Sequence, residues 1–291
     1  MSTIALLGAG GMLGHALQAS LAGPDLVIAK RSDVDITDSQ SVADFLPTEG
    51  FVINAAAYTQ VDQAESDPES AYAVNGDAVR IIADVAKKKN SRLIHVSTDY
   101  VFDGVASQPY AEDAHCHPAS VYGKSKRAGE EHVLELLPHS GSIVRTAWLY
   151  GEHGTSFPRT ILRLGASQDT LDVVDDQVGQ PTWAHDVAEM IAALVSQGAP
   201  AGIVHATNSG QTTWFGFAQR LFELAGWDPG RITPVPSQKF IRPAPRPAWS
   251  VLGHSNWVRL GMNTPRHWHD ALDEAWDQEL SPFAQEINSA R

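Results

Sequence analysis

The sequence predicts an α/β protein built on a doubly wound parallel sheet, followed by a smaller α/β segment. Over the first 150 residues, five short apolar runs alternate with helical patterns, and the first run ends in a glycine-rich turn. Such alternation is typical of parallel strands joined by helices that cover the sheet. This rhythm changes near residue 150. We therefore predict one domain over residues 1–150, joined by part of 183–205, and a second domain mainly over 151–291.

The composition excludes several classes of protein. The chain has 291 residues, 43% hydrophobic and 19% charged, which is enough to bury a globular core. Its formal net charge of −13 argues against a nucleic-acid or anionic-membrane partner, because either needs a basic surface. No apolar run is long enough to cross a bilayer, the N-terminus lacks a secretory signal pattern, and a single cysteine excludes an internal disulfide. We expect a cytoplasmic enzyme or binding protein.

The first apolar run, Thr3–Leu7, ends in a turn that carries Gly8, Gly11 and Gly14. A leucine pattern of helical spacing follows, so the order is strand, glycine turn and helix. Glycines let the backbone approach a pyrophosphate, whose negative charge the N-terminus of the helix favours. This turn predicts a dinucleotide site that also includes the backbone of Met12 and Leu13.

The second run, Leu26–Ala29, ends in Lys30, Arg31 and a serine. Many NAD sites place an acid here to bind the ribose 2′-hydroxyl, whereas basic side chains suit a 2′-phosphate. The sequence therefore favours NADPH. Asp33 and Asp35 lie close by, so use of NADH stays open.

The third and fourth runs, Phe51–Ile53 and Arg92–Val96, end in segments suited to a ligand. Carboxyl ends of parallel strands meet at one edge, where open α/β sheets bind their ligands. The third run is followed by small residues that let a flat cofactor lie against the backbone, namely Ala55, Ala56 and Ala57. The fourth run delivers Ser97, Thr98, Asp99 and Tyr100 to the same edge.

Tyr122 and Lys126 are four residues apart, which places them on one face of a predicted helix that ends near Leu137. Lys124 would point elsewhere. A phenol stays protonated at neutral pH, and a neighbouring ammonium is expected to lower its pKa towards the working range. Tyr122 could then protonate an oxygen that accepts a hydride, with Thr98 bound to that oxygen. The arrangement predicts carbonyl reduction.

The second half contains a polar loop, 176–182, and a segment with five prolines, Pro234–Pro247. We expect no regular structure in the proline-rich segment, and its Arg242 and Arg246 could bind a diphosphate. Predicted helices at 155–164, 184–195, 212–225 and 267–279 alternate with predicted strands at 171–174 and 202–205. The run His115–His117 has two histidines and Cys116, but no second cluster with ligand spacing accompanies it, so we predict no metal site.

These motifs together resemble the extended short-chain dehydrogenases/reductases, and within them the dTDP-4-dehydrorhamnose reductases. The resemblance rests on the glycine turn and on Asn54–Tyr58, Ser97–Gly104 and Tyr122–Glu130. Two further segments, Asp176–Thr182 and Arg242–Ser250, also match, so the resemblance covers nearly the whole chain. It implies a Rossmann fold and NADPH-dependent reduction of dTDP-4-dehydro-L-rhamnose to dTDP-L-rhamnose, a precursor of cell-envelope polysaccharide.

The resemblance also implies roles for individual residues. The catalytic residues would be Thr98, Tyr122 and Lys126. Cofactor contacts would come from Gly11, Met12, Leu13, Asp35, Ile36, Ala55, Ala56, Ala57, Tyr122 and Lys126, to which the glycine spacing adds Gly8 and Gly14 and the basic strand tip adds Arg31. Asp99, Tyr100 and Trp148 would line the sugar. Some members dimerise through a bound magnesium ion; no matching ligand cluster is evident, so a homodimer and a metal stay open.

Three other functions share this fold. A 4,6-dehydratase needs a further acid/base pair, and Tyr100 stands where such enzymes carry a glutamate. A 4-epimerase lacks the Asp99–Tyr100 run. A catalytically silent NADP-binding regulatory subunit is a different class, which the joint presence of Thr98, Tyr122 and Lys126 disfavours.

Overall fold

The computed structural model describes residues 2–289. Its strands are β1 Ile4–Leu7, β2 Leu26–Ile28, β3 Phe51–Asn54, β4 Arg92–Thr98, β5 Gly141–Thr146, β6 Leu149–Tyr150, β7 Leu171–Val174, β8 Val178–Gly179, β9 Thr182–Trp183, β10 Gly202–His205, β11 Thr212–Thr213 and β12 Ile232–Val235. Its helices are α1 Met12–Ser20, α2 Ser39–Phe45, α3 Val61–Ala64, α4 Pro68–Tyr72, α5 Ala78–Lys88, α6 Val121–Leu136, α7 Phe157–Ser167, α8 Ala184–Ser196, α9 Trp214–Leu224, α10 Ser255–Arg259, α11 Trp268–Ala275 and α12 Ser281–Ser289.

A six-stranded parallel sheet in the order β10-β5-β4-β3-β1-β2 forms the centre of the protein. The predicted doubly wound parallel sheet is confirmed, and β10 joins it by pairing with β5 from Gly202 to His205. The strand order reverses between β1 and β3, so the loops after these two strands leave in opposite directions. A crevice at such a reversal is where open α/β sheets bind their ligands.

Neighbouring residues of each strand point to opposite faces of the sheet, and both faces are buried. Leu7 and Val52 belong to one apolar cluster, which α2, α5 and α6 complete. Leu6 and Ile53 belong to the other, which α1 and α8 complete. Burial on both faces explains why these strands are continuous apolar runs and not alternating ones.

The second half of the chain has its own apolar core. Trp183, Phe217, Phe222 and Trp268 pack there with residues of β7, α7, α9 and α11. The short parallel pair of β7 and β12 lies beside this core, with Leu171 opposite Ile232. The C-terminal region is therefore stabilised by aromatic packing more than by an extended sheet.

Two expectations for this region are wrong. Pro234 lies within β12, although the proline-rich segment was expected to lack regular structure. It is tolerated because β12 is paired on one side only, so its missing N–H removes no bond to a second neighbour. The polar loop 176–182 contains the two-residue strand β8 and the first residue of β9, and β8 pairs antiparallel with β11.

The helical segment from Pro68 to Lys88 is interrupted. A π-helical turn, Ala73–Asp77, separates α4 from α5. Such turns are frequent at functional sites because they shift a side chain out of the α-helical register. A second π-helical turn, Trp276–Leu280, joins α11 to α12. Within residues 2–289, no helix is both long and apolar enough to span a membrane.

Candidate active site

The glycine turn follows β1 and leads directly into α1. Gly8 has a φ of +81°, which disfavours other residues, and a Cβ there would overlap the backbone of Ala56. A Cβ on Gly14 would overlap the Gly8 carbonyl oxygen. Gly11 is the N-cap residue of α1 and has no side chain to cover the end of the helix. Its N–H donates to the Gly8 carbonyl oxygen at 3.1 Å. The turn leaves space and free N–H groups for an anion at the start of α1.

The residues after Gly11 differ in how they face this space. Leu13 is buried in the core between α1 and the sheet, so only its backbone can contact a ligand. Met12 is half-buried and lies near Gly151.

The tip of β2 carries the basic residues that the sequence associates with a 2′-phosphate. Lys30 and Arg31 are exposed, and neither forms an ion pair with another residue in the range 2–289. The Asp35 carboxylate accepts hydrogen bonds from the Thr37 N–H and hydroxyl at 2.9 and 2.6 Å, which lower its pKa. The neighbouring Ile36 is half-buried against α2.

The alanine segment after β3 is held by its own polar residues. The Asn54 side chain accepts from the Ala56 N–H at 3.1 Å. Asn75, in the first π-helical turn, is fully buried and forms two hydrogen bonds with the backbone of Tyr58. It also donates to the Ser125 hydroxyl at 3.0 Å, which ties the segment to α6. Asn75 thus braces the backbone of the segment.

Five side chains lie at the carboxyl end of β4 and in the first turns of α6. We call them the strand-end cluster: Thr98, Asp99, Tyr100, Tyr122 and Lys126. The Thr98 hydroxyl donates to Asp99 Oδ1 at 2.9 Å and accepts from the Tyr100 N–H at 3.2 Å. The rings of Tyr100 and Tyr122 meet edge to face, with centroids 5.5 Å apart. The residues that the sequence placed at one sheet edge are therefore in contact.

The start of α6 positions Tyr122. Ser120 caps the helix by accepting from the Gly123 N–H at 3.0 Å. Glu65, just after α3, accepts from the Val121 N–H at 2.8 Å and so satisfies a second free donor of the first turn. The helix packs so closely on Tyr100 that a Cβ on Gly123 would overlap its carbonyl oxygen. Tyr122 thus projects from a helix end that is fixed at three points.

The expected effect of Lys126 on the Tyr122 pKa is not seen. Burial raises the pKa of Tyr122 to about 12, and the negative charge of Asp99 adds to the increase, while the facing Thr98 hydroxyl opposes it. Lys126 does not offset this increase; its ammonium is buried and donates to the Val96 carbonyl oxygen at 2.7 Å. In this structure Tyr122 is therefore firmly protonated at neutral pH.

Lys126 and Asp99 are buried charged groups. Burial lowers the pKa of Lys126 to about 8, although nearby Glu130 favours its charged form. Burial raises the pKa of Asp99 to about 6, although hydrogen bonds, chiefly from Thr98, oppose the change. Beside Lys126, burial and the lysine charge hold the pKa of His95 well below its usual range, so this imidazole is neutral. These shifted values mark the strand ends as a candidate catalytic site.

Trp148 follows β5 in a strained conformation, with a φ of +46°. A bulky side chain rarely adopts this conformation without surrounding structure that imposes it. The indole stacks on Trp214 at 3.4 Å between centroids, and a Cβ on Gly179 would overlap it. The strain is therefore maintained by packing from the second half of the chain, next to the strand ends.

The segment 237–247, which we call the proline strap, carries the two arginines. The Arg246 guanidinium binds both carboxylate oxygens of Asp62 in α3, and Arg246 Nη1 also donates to the Ala244 carbonyl oxygen at 2.8 Å. Arg242 is more exposed, and its Nη1 lies 3.9 Å from Asp62. A cavity of about 70 Å³ beside Arg246 is also lined by Tyr100 and Ser120. Only Arg246 is therefore held at the strand-end cluster.

Several structural residues of the site escaped the sequence interpretation. Asp62 and Glu65 lie four and seven residues beyond Tyr58, and their spacing gave no sign of their partners. Arg145 is buried and binds both carboxylate oxygens of Glu130 at 2.7 and 2.8 Å. It also donates to the Glu112 carbonyl oxygen at 3.3 Å, so β5, α6 and the loop before α6 are joined by one buried cation. The sequence signal for this buried ion pair was a single arginine, Arg145, within the otherwise uncharged strand β5.

The predicted site residues thus fall into four groups: the glycine turn with the alanine segment, the tip of β2, the strand-end cluster with Trp148, and the proline strap. His115 and His117 do not join them. In the described part of the chain, no three His, Cys, Asp or Glu side chains are grouped as metal ligands.

A search for related proteins agrees with this geometry. Residues 1–281 match the family model described as "RmlD substrate binding domain". The chain belongs to this family. A dTDP-4-keto-6-deoxy-D-glucose reductase from Streptomyces niveus is 47% identical over 275 residues, which cover 92% of this chain and 94% of that protein. A dTDP-4-dehydrorhamnose reductase from Mycobacterium tuberculosis is 43% identical over 279 residues, covering 94% and 91%.

Solved structures of the RmlD family have the same architecture. A dTDP-4-dehydrorhamnose reductase from Clostridium acetobutylicum is 37% identical, with a TM-score of 0.89 over 95% of this chain and 99% of that one. A Bacillus anthracis enzyme of the same name, in complex with NADP, is 34% identical with a TM-score of 0.89 and the same coverage. A dTDP-glucose 4,6-dehydratase from Streptomyces venezuelae is 18% identical with a TM-score of 0.78, a likeness of fold alone.

Proposed function

We propose that this chain is an NADPH-dependent reductase that converts dTDP-4-dehydro-L-rhamnose to dTDP-L-rhamnose. One observation carries the proposal: Thr98 and Tyr122 meet at the carboxyl ends of the sheet, within a family whose relatives are named dTDP-sugar 4-ketoreductases. NADPH would supply the hydride that reduces the 4-keto carbon.

The glycine turn and the alanine segment fit a dinucleotide. A side chain on Gly8 or Gly14 would collide with neighbouring backbone atoms, so the tight turn requires glycine at both positions. Ala55, Ala56 and Ala57 are half-buried and present no bulky group. Gly11, Met12 and Leu13 would hold the pyrophosphate through backbone N–H groups, and the alanines would lie against the cofactor.

Cofactor preference follows from the tip of β2. The free cations of Lys30 and Arg31 would form charge-assisted bonds with a 2′-phosphate. Asp35 would repel a 2′-phosphate, but its carboxylate is already engaged by Thr37. Asp35 and Ile36 would then contact the adenosine through the backbone or the apolar side chain. We therefore propose NADPH as the physiological cofactor.

Tyr122 would act as the general acid. It has to give a proton to the oxygen as the hydride arrives, and its high pKa keeps that proton on the phenol until then. The Thr98 hydroxyl, fixed by Asp99 and by the Tyr100 N–H, would donate to the same oxygen. Negative charge that develops on the oxygen is thereby shared by two donors in a site of low polarity.

Lys126 would hold the cofactor. Its ammonium is held by the Val96 carbonyl, one hydrogen bond out of the three that it can donate. The others are free for a ribose hydroxyl.

Asp99, Tyr100 and Trp148 would line the sugar, and Arg246, with a smaller contribution from Arg242, would bind the diphosphate. We also propose that residues 1–150 with β10 form the cofactor domain and that 151–291 supply most of the substrate contacts. A homodimer remains part of this proposal, to be tested by light scattering of the purified chain.

The deciding experiment measures NADPH oxidation with the 4-keto sugar nucleotide prepared in both configurations, L-rhamnose-type and D-glucose-type. We expect faster turnover, by kcat/KM, with the L-sugar. Preference for the 4-keto-6-deoxy-D-glucose nucleotide would move the assignment towards the activity named for the Streptomyces niveus relative. Tight NADPH binding without oxidation of either substrate would instead support a regulatory subunit.

A further inference from the structure

Asp62 has an unusual set of partners for a residue on a four-residue helix. It lies in α3, which begins three residues after Tyr58, at the end of the alanine segment. Its carboxylate accepts from Arg246 Nη1, from Arg246 Nη2 at 2.9 Å and from the Ala244 N–H at 3.2 Å. The partners are separated from Asp62 by more than 180 residues of sequence. One carboxylate therefore joins the cofactor side of the crevice to the end of the proline strap.

These contacts fix the direction in which Arg246 points. Its guanidinium lies against Tyr100, whose ring packs on the ring of Tyr122. Asp62 and the Ala244 carbonyl use three of the five guanidinium N–H groups. Two donors remain, and the Tyr100 side chain lies within hydrogen-bonding reach of the guanidinium. A guanidinium has both charge and hydrogen bonds left for an anionic ligand there.

The same α3 region holds the other wall of the site. Glu65 accepts from the Val121 N–H at 2.8 Å, next to Tyr122. Asp62 and Glu65 thus connect the alanine segment to the diphosphate arginine and to the helix of the general acid. These bonds join residues 56 to 184 positions apart in sequence, so no local spacing predicts them.

We propose that Asp62 is a positioning residue that presents Arg246 to the diphosphate of the sugar nucleotide. This inference rests on the proposed function. Asp62 does not contact the reacting atoms; it acts through Arg246. Because Asp62 already holds the guanidinium of Arg246, this side chain loses little conformational entropy when the substrate binds. The affinity for the sugar nucleotide is higher as a result. Hydrogen bonding to Arg246 also lowers the pKa of Asp62, so the carboxylate stays ionised.

Asp62 could instead compete with the diphosphate for Arg246. Competition and positioning predict opposite changes in nucleotide affinity when Asp62 is replaced. Competition would make the Asp62→Asn variant bind the nucleotide more tightly. Positioning makes it bind less tightly. The additional bond from the Ala244 N–H favours positioning, because a carboxylate that is displaced by each substrate would also release the strap backbone.

The test compares Asp62→Asn with Asp172→Asn. Asp172 in β7 accepts from Lys239 Nζ at 2.5 Å, so it also tethers the strap through an ion pair, but through the lysine and not through an arginine. The readouts are the Kd of dTDP by calorimetry, the Kd of NADPH, and kcat and KM for the 4-keto sugar nucleotide. For Asp62→Asn we expect the Kd of dTDP and the KM to rise about tenfold, with kcat within about threefold and NADPH binding within about twofold. Asp172→Asn should leave all four within about twofold.

Arg246→Lys gives an independent variant, because a lysine keeps the charge but cannot bind the carboxylate as a fork. It should raise the Kd of dTDP about tenfold, and Asp62→Asn should add less than about twofold to it. Unchanged or tighter dTDP binding in Asp62→Asn, additive effects in the double variant, or parallel loss of NADPH binding would each overturn the inference. So would a wild-type chain that does not bind dTDP.

The inference and the proposed function can fail separately. If the wild-type chain binds dTDP but oxidises NADPH with neither sugar nucleotide, the proposed function fails while dTDP binding still tests Asp62. If it reduces the substrate and Asp62→Asn does so with an unchanged KM, the inference alone fails.

Discussion

The strand-end cluster and the proline strap contribute to one crevice but are built differently. The cluster is formed at the ends of β4 and α6, where backbone geometry and burial set the position and the pKa of each group. The strap carries exposed cations that ion pairs with Asp62 and Asp172 hold against the body of the protein. In the cluster, burial of the side chains sets their protonation states. In the strap, ion pairs to Asp62 and Asp172 set the positions of the cations. Arg246 and Tyr100 are the point where the two regions meet.

The largest expected effect is on turnover, through the cluster. Tyr122→Phe removes the phenolic proton and keeps the ring that packs on Tyr100. We expect kcat to fall by about 10² to 10⁴-fold, the usual contribution of general acid catalysis. The Kd of NADPH, measured by fluorescence, should stay within about twofold because the ring still fills its place. Turnover that equals the wild type would remove Tyr122 from the role of acid.

A second test concerns the stability cost of desolvation in the cluster. The pKa of Asp99 is raised from 3.8 to about 6, so the native state binds more protons than the unfolded state between these values. Stability therefore falls as the pH rises through this window, and the full cost of the buried carboxylate is present above about pH 6.

Asp99→Asn keeps an oxygen for the Thr98 hydroxyl and removes the charge. The gain in free energy of unfolding on this substitution should be about 2 kcal/mol larger at pH 7 than at pH 4, because pH 4 already lies close to the unfolded pKa of 3.8. Denaturant unfolding at the two pH values measures this difference. Glu131→Gln, on the exposed face of α6, serves as a control whose difference should be near zero. A pH-independent effect of Asp99→Asn would contradict the buried, raised carboxylate.

The smallest effect is expected in the strap, at Arg242. The side chain is 62% exposed and lies 3.9 Å from Asp62, so solvent screens the pair. Arg242→Ala should change the free energy of unfolding by less than about 0.5 kcal/mol and raise the KM by about threefold at low salt. In 0.5 M salt, about the strength at which exposed charges are strongly screened, the KM difference should disappear. A salt-independent rise as large as that for Arg246→Lys would show that both arginines are held at the diphosphate.

Local pattern was enough to predict much of this protein. The apolar runs, the glycine turn and the spacing of Tyr122 and Lys126 each depend on residues close in sequence, because strands, turns and helical faces repeat over a few residues. The pattern also predicted that Thr98 and Tyr122 share an edge, since the carboxyl ends of parallel strands meet there. It failed at Pro234, where pairing on one side of β12 decides whether a proline is tolerated.

The environment of each group was decided by the tertiary structure. Lys126 was expected to lower the pKa of Tyr122, but the burial of both side chains reverses the change, and burial depends on how distant segments pack. Likewise, Asp62 and Arg246 meet only when the second half of the chain folds over α3. The sequence by itself thus determined which chemical groups reach the sheet edge, since that follows from local backbone geometry. Only the folded structure decided their charge states and partners, because desolvation and ion pairing depend on contacts between residues that are far apart in the chain.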